Sequence, residues 1–280
     1  MNNRQNSSTL PAPNVALLSN GVRLKYVEQG PADALPVVML HGVTDSWRSF
    51  EPVMEHLPGT IRAIAISQRG HGESDRPESG YSARDMSEDL LAFLDTAGIE
   101  RAIVVGHSMG SLVAQQFVVD HPDRVAGLVL VGAFSTLYQD AAIAEFVTSE
   151  IDTLTDPISP AFAREWQLST IARPIASEFL ETVVRETLKV PARVWKAAFH
   201  SWLATPGALK GLSGLAAPAM LVWGDRDTYA LQSHQDALRA VMPGVRFRVY
   251  EGAGHAVHWE NPARFAADLV VFLHLYFQQG

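Results

Sequence analysis

The amino-acid sequence predicts an α/β fold, in which a mostly parallel, twisted sheet carries helices on both faces and a helical cap is inserted. Continuous apolar runs, typical of buried strands, alternate with helical patterns through most of the chain. Between residues 135 and 211 the strand patterns stop and only helical patterns remain. The length of 280 residues allows one large domain with an insertion. We therefore predict a core at residues 16–134 and 212–280, a cap at residues 135–211, and a flexible N-terminal tail at residues 1–15.

The first half of the chain predicts a hairpin followed by alternating helices and strands. Asn20-Gly21 lies between two apolar runs and tolerates the positive φ values of a type I′ turn. The apolar run from Pro36 to Gly42 predicts the first strand that is buried on both faces. Ser82 and Asp85 predict a capping box at the start of the second helix. The elements after the first buried strand are helix SWRSFEPVMEHL, strand IRAIAIS, helix SARDMSEDLLAFLDTAG, strand RAIVVG, helix MGSLVAQQFVVDH and strand VAGLVLVGA.

The second half of the chain predicts the cap and the end of the sheet. The four helical patterns of the cap are DAAIAEFVTSEI, PAFAREWQLST, IASEFLETVVRETL and PARVWKAAFHSWLA, separated by prolines. Strand PAMLVWGD, helix LQSHQDALRAVM, strand VRFRVYEGAG and helix PARFAADLVVFLHLYF then complete the core. Because strands and helices alternate, the sheet is expected to be parallel and covered on both faces. Residues from Gln278 onward look similar to a protease-tag remnant and are expected to lie outside the fold.

Composition excludes several classes of function. The formal net charge of −8 gives no electrostatic surface for nucleic acid. No apolar run approaches the length of a membrane span, and no basic amphipathic helix is present. The chain has no cysteine, which excludes disulfides and thiolate nucleophiles. The polar N-terminus lacks the apolar core of a signal peptide, so we expect a cytoplasmic protein. The sequence leaves open whether the chain is a monomer or a homo-oligomer.

Ser108 is the candidate nucleophile. It lies in VVGHSMGSLVAQ, between Gly106 and Gly110, where a predicted buried strand ends and a helix begins. Glycines two residues to either side permit the sharp turn that exposes a serine hydroxyl for nucleophilic attack. The alternative is an ordinary helix N-cap, because serine is also a favoured residue at that position. The strand before the motif and the helix after it favour the nucleophile.

His255 is the candidate general base. A serine nucleophile needs a base for its proton, a carboxylate that orients the base, and two N–H donors for the oxyanion. His255 follows Gly252-Ala253-Gly254, and these small residues give an imidazole room to reach across the sheet. His258 is the competitor, although its position favours packing or capping at the start of the last helix.

Two backbone turns and one acidic loop complete the candidate site. Asp227 follows the strand LVWG at a distance that favours contact with the histidine, while Asp225 and Glu251 remain as alternatives. The N–H of Met109 follows the nucleophile at a helix start, where free N–H groups point outward. Val43, after the run MLHG, is the second expected donor. Asp45 and Ser46 are expected to cap the following helix.

With these residues in place, the chain resembles the α/β-hydrolase superfamily, in particular its cap-bearing serine carboxylesterases and lactonases. The resemblance covers residues 16–276 and is carried by LHGVTDSW, SQRGHGESDRP, GHSMGS, WGDRD and GAGHAVHWENP in that order. It implies a triad of Ser108, Asp227 and His255, an oxyanion hole from Val43 and Met109, and a lid at residues 135–211.

The departures from related subfamilies narrow the expected chemistry. Haloalkane dehalogenases and epoxide hydrolases of this fold carry Asp at the nucleophile position, and dienelactone hydrolases carry Cys, so Ser108 argues against all three. Ser67 replaces an Asp of many relatives, a position that is usually structural.

The cap predicts the character of the substrate. Its helices are rich in large apolar residues, of which Trp166, Trp195 and Phe199 are the candidates for the substrate pocket. Because the cap has no basic cluster, we expect a neutral, fairly hydrophobic carboxylic ester. A lactone is the alternative substrate, and a small-molecule receptor with little turnover is the alternative of another class. Neither a cofactor nor a metal site is expected, because no group of ligand residues has the required spacing.

Overall fold

A computed structural model describes residues 10–277, and its centre is one sheet. The strands are β1 (Asn14–Leu17), β2 (Arg23–Gln29), β3 (Val37–Leu40), β4 (Ala63–Ser67), β5 (Ala102–His107), β6 (Val125–Val131), β7 (Ala219–Gly224) and β8 (Arg246–Tyr250). They form an eight-stranded sheet in the order β1-β2-β4-β3-β5-β6-β7-β8. Strand β2 pairs antiparallel with β1 and β4, and every pair from β4 to β8 is parallel. The predicted mostly parallel sheet is confirmed.

Helices cover both faces of this sheet. They are α1 (Glu51–Met54), α2 (Ala83–Thr96), α3 (Met109–Asp120), α4 (Ala141–Ser149), α5 (Pro160–Ser169), α6 (Ser177–Thr187), α7 (Ala192–Ala204), α8 (Gln232–Val241), α9 (Val257–Glu260) and α10 (Pro262–Phe277). Alternate residues of β3 face opposite ways, so Val38 joins the apolar cluster of α2 and α3, whereas Met39 joins that of α1 and α10. This two-sided cover explains why β3, β4, β5 and β6 bury all their residues.

Two local predictions need correction. In the hairpin, Gly21 has a φ of 84°, but Asn20 does not share a positive φ, so the turn is not type I′. The Asn20 side chain instead accepts from the N–H of Val22 and donates to Asp89. The helix expected in SWRSFEPVMEHL is reduced to a 3₁₀ turn at Trp47–Phe50 and the single turn α1. Pro52 lacks the N–H that would continue a helical ladder from the first turn.

The inserted helices lie where the sequence predicts them. Helices α4, α5, α6 and α7 all fall between β6 and β7, and the capping box of Ser82 and Asp85 is present on α2. The division into core and cap at residues 135–211 stays a prediction. Residues 1–9 of the predicted tail and 278–280 at the other end lie outside the described residues, whereas Asn14 and Val15 belong to β1. Within residues 10–277, no helix combines the length and hydropathy needed to cross a bilayer.

Candidate active site

Ser108 lies on a strained turn between β5 and α3. Its backbone has φ 53° and ψ −116°, a region that side-chain-bearing residues rarely adopt. The glycines on either side allow strand and helix to approach closely. A Cβ on Gly106 would lie 2.2 Å from the carbonyl oxygen of Gly110, and a Cβ on Gly110 would lie 2.2 Å from that of Leu40. Ser108 occupies the N-cap position of α3, but its side chain makes no capping hydrogen bond to the helix, which distinguishes it from an ordinary capping serine.

His255 and Asp227 form a buried hydrogen-bonded pair. The distance from His255 Nδ1 to Asp227 Oδ2 is 2.8 Å, and the two side chains are 5% and 0% exposed. The loop after β7 fixes the carboxylate, because Asp227 Oδ1 accepts from the backbone N–H groups of Tyr229 and Ala230 at 2.8 and 2.9 Å. A proton on Nδ1 that is donated to this carboxylate leaves His255 Nε2 as the acceptor nitrogen.

The competing acid and base residues have other partners. Asp225 Oδ1 accepts from the N–H of Gly252 at 2.5 Å, and Glu251 is exposed. His258 is fully buried, and its Nε2 lies 3.0 Å from Ser49 Oγ. Burial lowers the pKa of His258 to about 3, which makes it a neutral packing group. The structure therefore brings together Asp227 and His255, the residues that the sequence favoured as acid and as base.

Ser108 and His255 line the same cavity. Within the described part of the chain, neither Ser108 Oγ nor His255 Nε2 makes a hydrogen bond. Catalytic hydrogen bonds are often long in unliganded structures and tighten when substrate binds, so both atoms are available to a ligand in the cavity.

The predicted oxyanion donors lie at two turns beside Ser108. Neither the N–H of Val43 nor that of Met109 donates to a group within residues 10–277. Thr44, the residue after Val43, has a φ of 71° and is fully buried. A β-branched residue in this region is a genuine outlier. The sequence carries no signal for it, because threonine is among the residues least expected to adopt a positive φ.

Asp45 corrects an expectation from the sequence. Ser46 caps the following turn by accepting from the N–H of Arg48, as predicted, but Asp45 is buried on the cavity wall. Its Oδ1 accepts from Gln167 Nε2 at 3.1 Å and its Oδ2 from Ser49 Oγ at 3.3 Å. Burial raises the pKa of Asp45 to about 8, so the carboxyl is neutral at lower pH.

The cavity is small and mostly aromatic. Its volume is about 240 Å³, and Trp166 and Phe199 lie on its wall as predicted. Trp195 does not line it. The Trp195 side chain is 0% exposed and packs behind Trp166, with ring centroids 5.1 Å apart. Tyr229 and Trp259 also line the cavity. The sequence analysis did not predict this, because both residues follow strands of the core and lie far from the cap in the sequence.

Residues 36–262 match the model of the family described as the alpha/beta hydrolase fold. Among curated proteins, the chain is 28% identical over 273 residues to a putative 2-succinyl-6-hydroxy-2,4-cyclohexadiene-1-carboxylate synthase of Bacillus subtilis, covering 91% of this chain and 96% of the relative. It is 25% identical over 272 residues to epoxide hydrolase 2 of Caenorhabditis elegans, covering 86% and 74%.

The fold is also similar to that of a solved esterase structure. The esterase, from a Rhodococcus species, superposes with a TM-score of 0.83 and 25% sequence identity, covering 95% of this chain and 100% of the esterase.

Proposed function

The chain belongs to the alpha/beta hydrolase fold family and is a hydrolase, and we propose that it cleaves a neutral, fairly hydrophobic carboxylic ester through an acyl-enzyme intermediate. The observation that carries this proposal is the buried 2.8 Å contact between Asp227 and His255, beside the cavity that Ser108 also lines. A strained serine, an oriented imidazole and unpaired backbone N–H groups at one cavity are the parts that acyl transfer requires.

In the acylation step, Ser108 Oγ attacks the ester carbonyl carbon while His255 Nε2 takes the hydroxyl proton. The Asp227 carboxylate stabilises the imidazolium that forms. The carbonyl oxygen becomes an oxyanion, which accepts from the N–H groups of Val43 and Met109. The tetrahedral intermediate collapses, the bond to the alcohol oxygen breaks, and the proton on Nε2 passes to the departing alcohol.

In the deacylation step, a water molecule replaces the alcohol. His255 Nε2 removes a proton from this water as its oxygen attacks the acyl carbon. The second tetrahedral intermediate uses the same two N–H donors. When it collapses, the bond to Ser108 Oγ breaks, the proton returns to Oγ, and the carboxylic acid leaves. The serine is then ready for another cycle.

The cavity supports a small and uncharged substrate. No lysine or arginine lines it within the described chain, and the Asp45 carboxyl on its wall is neutral below pH 8. A charged ester would therefore lose its hydration without a partner. The volume of about 240 Å³ lies below the range of roughly 300–1,000 Å³ that drug-sized ligands occupy. A lactone is the second candidate, because a compact ring fits such a volume without an extended acyl chain.

Hydrolysis of p-nitrophenyl esters, from acetyl to dodecanoyl, tests the proposal. We expect turnover of the shorter esters by the wild type, and a loss on the order of a million-fold in kcat in Ser108→Ala. Ser87→Ala is the matched control, since Ser87 is a buried serine of α2 whose Oγ has no partner among residues 10–277. This control should retain wild-type activity.

Three outcomes contradict the proposal. Turnover that survives in Ser108→Ala would exclude this serine as the nucleophile. Hydrolysis of styrene oxide in preference to every ester would favour epoxide chemistry. A folded wild type that turns over neither esters nor lactones would favour a small-molecule receptor on this fold.

A further inference from the structure

One segment of the inserted helices contacts three of the loops that carry proposed catalytic groups. We name residues 166–173, the end of α5 and the chain after it, the α5 clamp. It contacts the oxyanion turn at residues 42–46, the acid loop at residues 225–230 and the base loop at residues 251–256. The members of these contacts are as far as 122 positions apart in the sequence.

The contact with the oxyanion turn is made by two side chains. Trp166 Nε1 donates to Thr44 Oγ1 at 3.0 Å, and Gln167 Nε2 donates to Asp45 Oδ1 at 3.1 Å. The Gln167 amide is anchored in turn on α6, because the same nitrogen lies 2.6 Å from Thr187 Oγ1. Gln167 is 1% exposed, so these bonds form away from bulk water.

The contacts with the other two loops use both side chains and backbone. Ser169 Oγ lies 2.5 Å from the hydroxyl of Tyr229, two residues after Asp227. The carbonyl oxygen of Thr170 accepts from the N–H of Ala256, the residue after His255, at 2.9 Å.

A shared carboxylate adds a second link to the base loop. Glu260 Oε1 accepts from the N–H of Ala172 at 2.9 Å and from that of Gly254 at 2.8 Å. The N–H groups on either side of His255 thus both bond to the clamp, directly or through Glu260.

We propose that the α5 clamp positions the active site and that Gln167 is the positioning residue for the oxyanion turn, acting through Asp45. The inference rests on the proposed function, because the turn matters for catalysis only if Val43 donates to an oxyanion. The Thr44 backbone is in an unfavourable conformation that persists only where surrounding contacts impose it. Trp166 supplies such a contact to Thr44 itself, and Gln167 supplies one to Asp45, the residue after it. Misplacement of a reacting group by about 1 Å costs on the order of 100-fold in rate.

Gln167→Met removes the amide while keeping the length of the side chain. We expect kcat for p-nitrophenyl acetate to fall by about 100-fold while KM stays within threefold, because the oxyanion forms only after substrate binds. The double variant Asp45→Asn/Gln167→Glu reverses donor and acceptor across the contact with the turn. We expect it to recover part of the lost kcat, because the donor to Thr187 is not restored.

The matched control is Gln115→Met. Gln115 is 1% exposed, and within residues 10–277 its amide bonds only to the carbonyl oxygens of Ser111 and Phe134, so the substitution should leave kcat unchanged. Should Gln167→Met fail to fold, Ser169→Ala tests the clamp at an exposed position, with a smaller expected loss confined to kcat. An equal loss in both glutamine variants, or a rise in KM alone for Gln167→Met, would overturn the proposal.

Hydrogen exchange separates this inference from the proposed function. Peptides that cover residues 42–46 should exchange faster in Gln167→Met than in the wild type, and at the wild-type rate in Gln115→Met. This readout needs no substrate, so it remains decisive if no ester is turned over. Unchanged exchange in Gln167→Met would show that the clamp does not hold the turn.

Discussion

The sheet and the inserted helices differ in how completely they bury their side chains. Strands β3 to β6 bury every residue, whereas α4 buries only Val147 and α5 only Ala163 and Gln167. The inserted helices meet the cavity through aromatic pairs, such as Phe146 and Phe199, whose ring centroids lie 5.9 Å apart. The sheet carries the proposed reacting groups on the loops that follow its strands, and the inserted helices supply much of the cavity wall. Substitutions in the two regions should therefore have different consequences.

The largest effect is expected where the sheet carries a proposed reacting group. Asp227→Asn leaves the shape of the side chain intact but removes the carboxylate that holds His255 in its tautomer. We expect kcat for p-nitrophenyl acetate to fall by about 10⁴-fold with unchanged thermal stability. Asp225→Asn, two residues away, should lower kcat by less than tenfold, because the Asp225 carboxylate bonds only to the N–H of Gly252 among the residues that the structure describes. Equal losses in the two variants would contradict the assignment of the acid.

A smaller effect, on the free energy of unfolding, tests the difference in burial between the sheet and the inserted helices. Gly110→Ala places a Cβ 2.2 Å from the carbonyl oxygen of Leu40 in the centre of the core. We expect it to lower the free energy of unfolding by about 3 kcal/mol or more. In Gly207→Ala, near the end of the inserted segment, the nearest atom lies at 3.4 Å, and the change should stay within about 0.5 kcal/mol. Urea unfolding of both variants measures these two changes in the free energy of unfolding. Changes of similar size would contradict the prediction.

The smallest effect is expected on the cavity wall. Phe146→Ala removes a ring that lines the cavity and pairs with Trp166. The extra space should raise the ratio of kcat/KM for octanoyl over acetyl esters by about tenfold, or ~1.4 kcal/mol. Phe162→Ala is the control, since that ring packs on Trp195 and does not line the cavity. If the ratio changed as much in the control, general loosening of the inserted helices would explain the result.

The parts of the fold that follow from local pattern were predictable from the sequence. Continuous apolar runs identified the inner parallel strands such as β3 and β6, because a strand that is buried on both faces favours apolar residues at every position. The glycines around Ser108 predicted a tight turn, and the close approach of Gly106 to Gly110 is its physical cause. The pairing of His255 with Asp227 followed from the expected positions of two loops at one edge of a parallel sheet. Their catalytic roles stay predictions.

The parts that depend on distant contacts were not predictable. The local sequence predicts that Asp45 caps a helix. It cannot indicate that Gln167, 122 positions away, donates a hydrogen bond to Asp45 in the folded chain. Trp195 and Phe199 share a helix, yet only Phe199 reaches the cavity, since the rotation of α7 is set by packing. Residue propensities do not predict the positive φ of Thr44, a residue whose hydroxyl accepts a hydrogen bond from Trp166 on α5, 122 positions away in the sequence.

The order of the strands along the chain determines when each proposed catalytic group is synthesised. The turn of Ser108 lies between β5 and α3, and β3 and β6, which flank β5, are complete by residue 131. The proposed acid and base loops follow β7 and β8, the last two strands of the described sheet. Because a chain emerges from its N-terminus and long-range pairing forms slowly, the half that holds the serine exists well before its partners. On the proposed mechanism, the nascent chain lacks its acid and its general base until the loops after β7 and β8 have been made and have docked on the sheet.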